Sequence, residues 1–358
     1  MRRGHGAQNA IEPESTRLHT RFWEGLFVSS IARWATPLRG HRPACTKEPK
    51  RHSIPLRQKE ESGMEVVQLA GSLGAEITGI KLGDVNETSA DEIKALLTEH
   101  LVLFFPEQFL DPKTHVAFAR HFGKLEGHPN LTNPFIDAPE IFELAATRGG
   151  IADEWHSDLT FQAEPSIFAI LNMVRCPQVG GDTIWANMYK AFDELSEPLQ
   201  DLCLGLTALH DADPHGKSET MTTHPVVRVH PETGRKSLFV NEHFTRRIVE
   251  LSHDESNMLL GYLTKWVSNP RFTVRYNWTE GTIAMWDNRC TQHYVINDFE
   301  EERIIQRATV MGDQPQAAEP PRWRPYLRSV KHGASSRLDR QLNTFLGLNP
   351  QMLETNRK

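Results

Sequence analysis

The sequence predicts an antiparallel β sandwich or barrel with helices packed on the outside. Three observations lead there. Short apolar or alternating runs dominate the middle and end of the chain, at LVLFF (101–105), SIFAILNMV (166–174), FTVRYNW, TIAMWDN and RIIQRATVM. Helical periodicity is confined to the early part and to a few insertions. No βαβ rhythm is present, nor any GxGxxG or GxxxxGK[ST] loop, which sets aside dinucleotide-binding and P-loop folds.

Each element has a local reason. MEVVQLAGSLGAEITGIKL alternates and is cut by glycines, the mark of short strands joined by turns. SADEIKALLTEH reads as a helix with a capping box from Ser89 to Glu92. LVLFF is a continuous apolar run ended by Pro106, so it is a buried strand. Asp111-Pro112 opens a second helix, with Asp as N-cap and Pro at the first helical position, and Phe122-Gly123 closes it. After GGDTIWAN come two short helices, one around MYKAFDEL and one from Pro198. KSLFVN is a strand. SHDESNMLLGYLTKWV is an amphipathic helix with a capping box from Ser252 to Glu255. It covers a barrel or serves a subunit interface, so a homo-oligomer stays open.

Composition narrows the classes. The 358 residues, 39% hydrophobic, suffice for one large or two modest domains. A net charge of -6 gives no sign of a nucleic-acid partner, and no run of 18 apolar residues offers a membrane span. Cys45, Cys176, Cys203 and Cys290 form no CxxC pair, against a zinc ribbon or a disulfide framework and for a reducing, cytoplasmic setting. Residues 1–63 are Arg-rich and aperiodic. They read as a disordered extension, with Met64 as a candidate start, or as an organelle-targeting peptide, which Glu12, Glu14 and Glu24 count against. Residues 64–313 are the expected catalytic domain, and 314–358 a Pro- and Arg-rich tail that wraps the surface or hangs loose.

Chemistry concentrates in WHSDLTF (155–161). On an extended segment His156 and Asp158 point to the same face and can grip one ion from one side. The best third ligand is His293, which follows a strand in WDNRCTQHYVIND. Two histidines and one carboxylate make the facial triad of non-haem Fe(II) oxygenases, which leaves coordination sites open. In a chain with 17 histidines an HxD also arises by chance. In RIIQRATV the alternation puts Arg303, Ile305, Arg307 and Thr309 on one face. Such arginines are either solvated or aimed at a carboxylate. GGDT is a turn signal whose Thr183 offers a hydroxyl.

The pieces WHSDLTF, GGDTIWAN, HPVVRVHPETGRKSLFVNEHF, MWDNRCTQHY and RIIQRATVMGD, in this order across residues 64–313, resemble the taurine dioxygenase / 2,4-D dioxygenase (TauD/TfdA) family of Fe(II)- and 2-oxoglutarate-dependent oxygenases. The resemblance implies a double-stranded β-helix, a cupin-like jelly roll. It implies Fe(II) on His156, Asp158 and His293, with 2-oxoglutarate and O₂ as cosubstrates. Arg303 and Thr183 would hold the distal carboxylate of 2-oxoglutarate. Arg307 would lie near its metal-bound end and the acidic group of the prime substrate. His128 matches a substrate-binding histidine and Phe244 an aromatic pocket wall. Taurine-using relatives carry a tyrosine and an asparagine where this chain has Leu131 and Ala152. A less polar alkyl or aryl sulfonate therefore fits better than taurine, with alkyl sulfates and aryloxyalkanoates as alternatives. The segment after His210 would form part of a lid. From the residues alone, a zinc hydrolase or a non-enzymatic cupin-like binding protein also remains open. A zinc hydrolase has no use for an arginine clamp on a dicarboxylate, and a binding protein has no reason to keep all three metal ligands.

Overall fold

The computed structural model describes residues 58–59, 63–127, 134–148 and 152–326, together with 342, 345 and 346. Its strands and helices follow in chain order. The first part holds β1 (Gln58–Lys59), β2 (Glu65–Gln68), β3 (Ala75–Thr78), α1 (Glu87–His100), β4 (Val102–Phe105), α2 (Pro112–Arg120) and β5 (Ile141–Ala145). The middle holds β6 (Ser166–Arg175), β7 (Thr183–Asn187), α3 (Met188–Asp193), α4 (Glu197–Leu204), β8 (Thr207–Ala212), β9 (Lys217–Pro225), β10 (Val227–Val229) and β11 (Lys236–Leu238). The last part holds β12 (Thr245–Ile248), α5 (His253–Trp266), β13 (Thr273–Tyr276), β14 (Ile283–Asp287), β15 (Thr291–Val295), β16 (Ile304–Met311) and β17 (Gln316–Ala317).

One large sheet runs β1-β2-β3-β4-β14-β6-β16-β5, and three small sheets run β13-β7-β15, β12-β8-β9 and β11-β10-β17. Among the described residues only the β3–β4 pair is parallel. The central strands are buried on both faces, so their sequences read as unbroken apolar runs. Alternation still sorts them. Val102, Phe104, Ala169, Leu171, Ala284, Trp286 and Ile305 face inward onto Trp185, Val274 and Tyr276 of the β13-β7-β15 sheet. Leu103, Phe105, Ile170, Met285 and Val310 face outward under α1 and α2. Two antiparallel layers with helices outside are the double-stranded β-helix. Phe104 lies flat on Tyr276, ring centroids 3.8 Å apart at 1°, and joins the layers. A second apolar layer packs α3, α4 and α5 against β7, β8 and β10.

One local reading needed correction. The N-cap of α1 is Asn86, whose side chain accepts from Ser89 N while Ser89 Oγ accepts from Asn86 N. The helix thus starts three residues before the expected Ser89–Glu92 box. Asparagine caps as well as serine does, and Glu87 then lies in the first turn, where the helix dipole favours it. The segment after His210 is a hairpin, β8 and β9 joined by a short turn at Asp213–His215. Its strands, polar on one side, lack the apolar density that marked the others. The α5 capping box of Ser252 and Glu255 is as expected.

β1 pairs with β2 ahead of Met64, and the rest of 1–57 lies outside the described residues. At the other end β17 pairs with β10, Arg322 N donates to Gly205 O and Tyr326 N to Val249 O. The first part of the tail therefore lies strapped along the domain. Among the described residues no helix is long and apolar enough to cross a membrane, and Cys176, Cys203 and Cys290 are unpaired thiols.

Candidate active site

The approach to β6 carries WHSDLTF beside β15. His156 and His293 face each other as an isolated antiparallel bridge. His156 N donates to His293 O at 3.1 Å, and His293 N to His156 O at 2.8 Å. This exchange fixes both Cα positions, and the imidazole rings sit 4.0 Å apart. Asp158, two residues along, returns to the same side. Its Oδ1 is 3.9 Å from the Nε2 of each histidine. Ser157 points the other way and donates to Thr291 O at 2.7 Å, tying the segment to β15. The chain turns sharply at Leu159, which has φ +56.

All three residues are at most 6% exposed, and their ligand atoms lie within 4.8 Å of one another. His156 Nδ1 donates to Glu154 O at 2.7 Å, which leaves Nε2 as a lone-pair donor toward the centre. Burial pushes the His156 pKa down to about 4, with His243 adding to the effect against the pull of Asp158. Burial also holds His293 well below the usual range. Burial alone would raise Asp158, but Arg307 and the two histidines outweigh it and hold the carboxyl below its ordinary range. Two neutral imidazoles and an ionised carboxylate are the donor set that a divalent iron takes. Asp158 Oδ2 is buried with no hydrogen-bond partner among the described residues, as a carboxylate shaped for a cation would be. The three groups have the arrangement of a facial triad and could hold a divalent metal.

Arg307 NH1 donates to Asp158 Oδ1 at 2.6 Å, and its guanidinium lies over the Phe142 ring at 4.6 Å. Its Nε is buried without a partner among the described residues. Arg303 enters the same interlayer space from the start of β16. Its Nε donates to Gly181 O at 3.2 Å and its NH2 to Thr183 Oγ1 at 3.3 Å. Trp278 Nε1 also donates to Thr183 Oγ1, at 3.0 Å. Arg303 is 5% exposed. No carboxylate among the described residues lies within ion-pair distance, and burial pushes its pKa down to about 10. A buried guanidinium with donors to spare and no counter-ion among the described residues has the donor set to receive an anion.

Phe244 stands edge-on to His156, centroids 6.4 Å apart, and packs with Leu159, Phe161 and Ala212 as an apolar wall. Ala152 lies on the lead-in to the triad, its carbonyl accepting from Val295 N. His128 and Leu131 lie outside the described residues. Residues that sequence reasoning passed over also meet here. His243 donates from Nδ1 to Glu154 Oε2 at 2.6 Å and lies 5.5 Å from the His156 ring. A cleft of about 410 Å³ opens beside it, lined also by Asp153, Asp213 and Arg246. A larger cleft, about 730 Å³, is bounded by Glu76, Lys81, Phe109 and Tyr276 and includes no triad residue. NEHF carried His243 in view, but nothing in its spacing marked it.

A second buried cluster, His230, Asp287 and Cys290, has metal-like composition. Its atoms are already committed. His230 Nδ1 accepts from Glu232 N and Thr233 N, so its Nε2 carries the proton that bonds Asp287 Oδ2 at 3.0 Å. Arg289 grips Asp287 with both Nε and NH2. Burial pushes the Cys290 thiol well up, away from the thiolate that a metal requires. This network is structural.

Comparisons with known proteins agree with that geometry. Residues 65–309 match the family model described as taurine catabolism dioxygenase TauD, TfdA family. An alkylsulfatase of Acinetobacter baylyi is 38% identical over 281 residues, 72% of this chain and 87% of the relative. An alpha-ketoglutarate-dependent sulfate ester dioxygenase of Pseudomonas putida is 38% identical over 276 residues, 70% of this chain and 91% of the relative. The crystal structure of a taurine dioxygenase from Burkholderia xenovorans, 35% identical, superposes with a TM-score of 0.65 over 71% of this chain and 93% of that one. With the triad, the two-layered β-helix and the match across the whole catalytic domain in agreement, the chain belongs to the TauD/TfdA family of Fe(II)- and 2-oxoglutarate-dependent dioxygenases.

Proposed function

We propose that this enzyme hydroxylates the carbon bearing the sulfur-anion group of an organosulfur substrate with an apolar tail, a sulfate ester or sulfonate less polar than taurine. Arg303 carries the reading of the cosubstrate: it is a buried cation without a carboxylate partner among the described residues, poised beside the Thr183 hydroxyl. The distal carboxylate of 2-oxoglutarate fits that clamp, held by a fork of N–H donors and one hydroxyl. His156, Asp158 and His293 would hold Fe(II), which with 2-oxoglutarate and O₂ supplies the power to oxidise a C–H bond. The protein's own part is orientation and charge. Arg307 bonds Asp158 and keeps further N–H donors for an anionic headgroup. Phe244, Phe161 and Leu159 exclude water from the side of the centre where a tail would lie.

The balance for a sulfate ester is substrate, 2-oxoglutarate and O₂ to aldehyde, sulfate, succinate and CO₂. The new hydroxyl sits on the carbon bonded to the ester oxygen. Loss of its proton and cleavage of that C–O bond release sulfate and leave the aldehyde. A sulfonate breaks its C–S bond instead and releases sulfite. The relatives named for alkyl sulfate and sulfate ester chemistry support the ester form, and the apolar residues at 131 and 152 support an uncharged tail.

The test is succinate release from 2-oxoglutarate with Fe(II), ascorbate and air. The panel holds alkyl sulfates, alkylsulfonates, taurine and phenoxyacetates, with His156→Ala as control. Turnover with hexyl sulfate or hexanesulfonate well above taurine is expected. Taurine saturating at micromolar levels while the longer anions fail to bind would overturn the substrate reading. No succinate from any compound with iron-loaded protein would overturn the reading of Arg303.

A further inference from the structure

The two histidines of the triad are oriented by different means. His156 has the Glu154 carbonyl on its remote nitrogen. His293 has no hydrogen-bond partner on Nδ1 among the described residues. Its ring instead packs against a pair of touching indoles, 4.7 Å from Trp286 and 6.4 Å from Trp185, the latter nearly parallel at 23°. Packing alone leaves an imidazole free to tilt unless the indoles are themselves pinned.

Trp286 is pinned by Asn288. The indole Nε1 donates to Asn288 Oδ1 at 3.0 Å. The same oxygen accepts the backbone N–H of Asp158 at 3.2 Å. Asn288 Nδ2 donates to Ser166 Oγ at 3.2 Å, and Ser166 Oγ donates to the Asp158 carbonyl at 3.4 Å. Asn288 N donates to Ile167 O at 2.8 Å. Asn288 and Ser166 are both 2% exposed and Trp286 is fully buried. One amide oxygen therefore joins the backbone of one metal ligand to the indole that orients another, though the two ligands are 135 residues apart in sequence. Neither Oδ1 contact touches a reacting group.

We propose that Asn288 is the positioning residue of the metal centre, fixing Asp158 against His293 through its side-chain oxygen. The inference rests on the triad being a metal site. With the oxygen removed, Trp286 Nε1 and Asp158 N lose a shared buried acceptor, and both the carboxylate and the His293 ring relax. Outer partners of metal ligands are typically worth about 10- to 100-fold in metal affinity.

Co(II) is the probe, titrated into the full-length protein and followed by its visible absorption and by quenching of tryptophan fluorescence. Asn288→Leu, close in size and without an acceptor, is expected to weaken Co(II) binding by about 10- to 100-fold. Asn288→Asp keeps the oxygen and is expected to stay within about threefold of the unsubstituted protein. Asn86→Ala, which alters only the N-cap of α1, is expected to leave Co(II) binding unchanged. If Asn288→Leu does not fold, Asn288→Gln replaces it; it displaces the oxygen by one methylene and should weaken binding likewise. A folded Leu or Gln variant that binds Co(II) as tightly as the unsubstituted protein overturns the proposal. So does an Asp variant as weak as the Leu variant. Failure of the unsubstituted protein to bind Co(II) more tightly than Asp158→Ala overturns the metal-site reading instead.

Discussion

Replacing Arg303 by methionine separates a binding role from a structural one, because the two predict opposite signs for stability. The guanidinium is 5% exposed, and burial draws its pKa down from 12.5 to about 10. At 1.36 kcal/mol per pH unit, holding that charge costs the ligand-free fold about 3 kcal/mol. Against this, the variant loses the bonds to Gly181 O and Thr183 Oγ1, each about 1 kcal/mol. Thr183 keeps its bond from Trp278, so no hydroxyl is stranded. The ligand-free variant should therefore melt at or slightly above the unsubstituted protein, by roughly 1 kcal/mol. Binding moves the other way. Two charge-assisted bonds to a carboxylate are together worth about 3–5 kcal/mol, so the 2-oxoglutarate Kd should rise roughly 10²- to 10³-fold. The assays are a thermal melt without ligand and an anaerobic 2-oxoglutarate titration of the Fe(II)-loaded protein. A Kd within about threefold of the original, or a large fall in Tm, refutes the assignment of Arg303 as an anion receptor.

Three further outcomes follow from the same structure. Asp158→Ala strands Arg307, which is 7% exposed and bonded to that carboxylate; urea unfolding should show a loss of about 3–5 kcal/mol, while Arg307→Met with Asp158→Ala should recover most of it. His115 on α2 is fully buried, donates from Nε2 to Ile170 O and has its pKa pushed by burial down to about 4. A folded pKa below the unfolded 6.5 means that the unfolded chain binds the extra proton, so this stability is complete above pH 6.5 and is lost as pH falls toward 4. The loss reaches roughly 3 kcal/mol, and His115→Gln should flatten the pH-stability curve in that window. Asn86→Ala should cost about 1 kcal/mol in Tm-derived stability through loss of the α1 cap, whereas Ser89→Ala, which keeps the Asn86 acceptor for the backbone N–H, should cost less.

Much of the site was legible because local rules generate it. Strand alternation puts His156 with Asp158, and Arg303 with Arg307, whatever the rest of the chain does. The continuous apolar run of β4 announced a buried strand. Polar strands were harder: β8 and β9 carry histidines, threonines and charges that resemble a loop until the neighbouring strand supplies their hydrogen bonds. The α1 cap was misread by three residues because Ser89 fits the capping pattern in either register. Only the packed helix selects Asn86.

What the sequence offered by itself is the pairing of His156 with Asp158 and of Arg303 with Arg307 and the layered antiparallel fold, which follow from residue type and period-two spacing; the roles of those groups came with the family resemblance. What only the tertiary structure decided is how those groups are held. The His156–His293 bridge, the counter-ion-free burial of Arg303 and the shared oxygen of Asn288 each join segments separated by more than a hundred residues. No local spacing encodes such contacts. They exist because two sheets close face to face and bring distant buried donors and acceptors together.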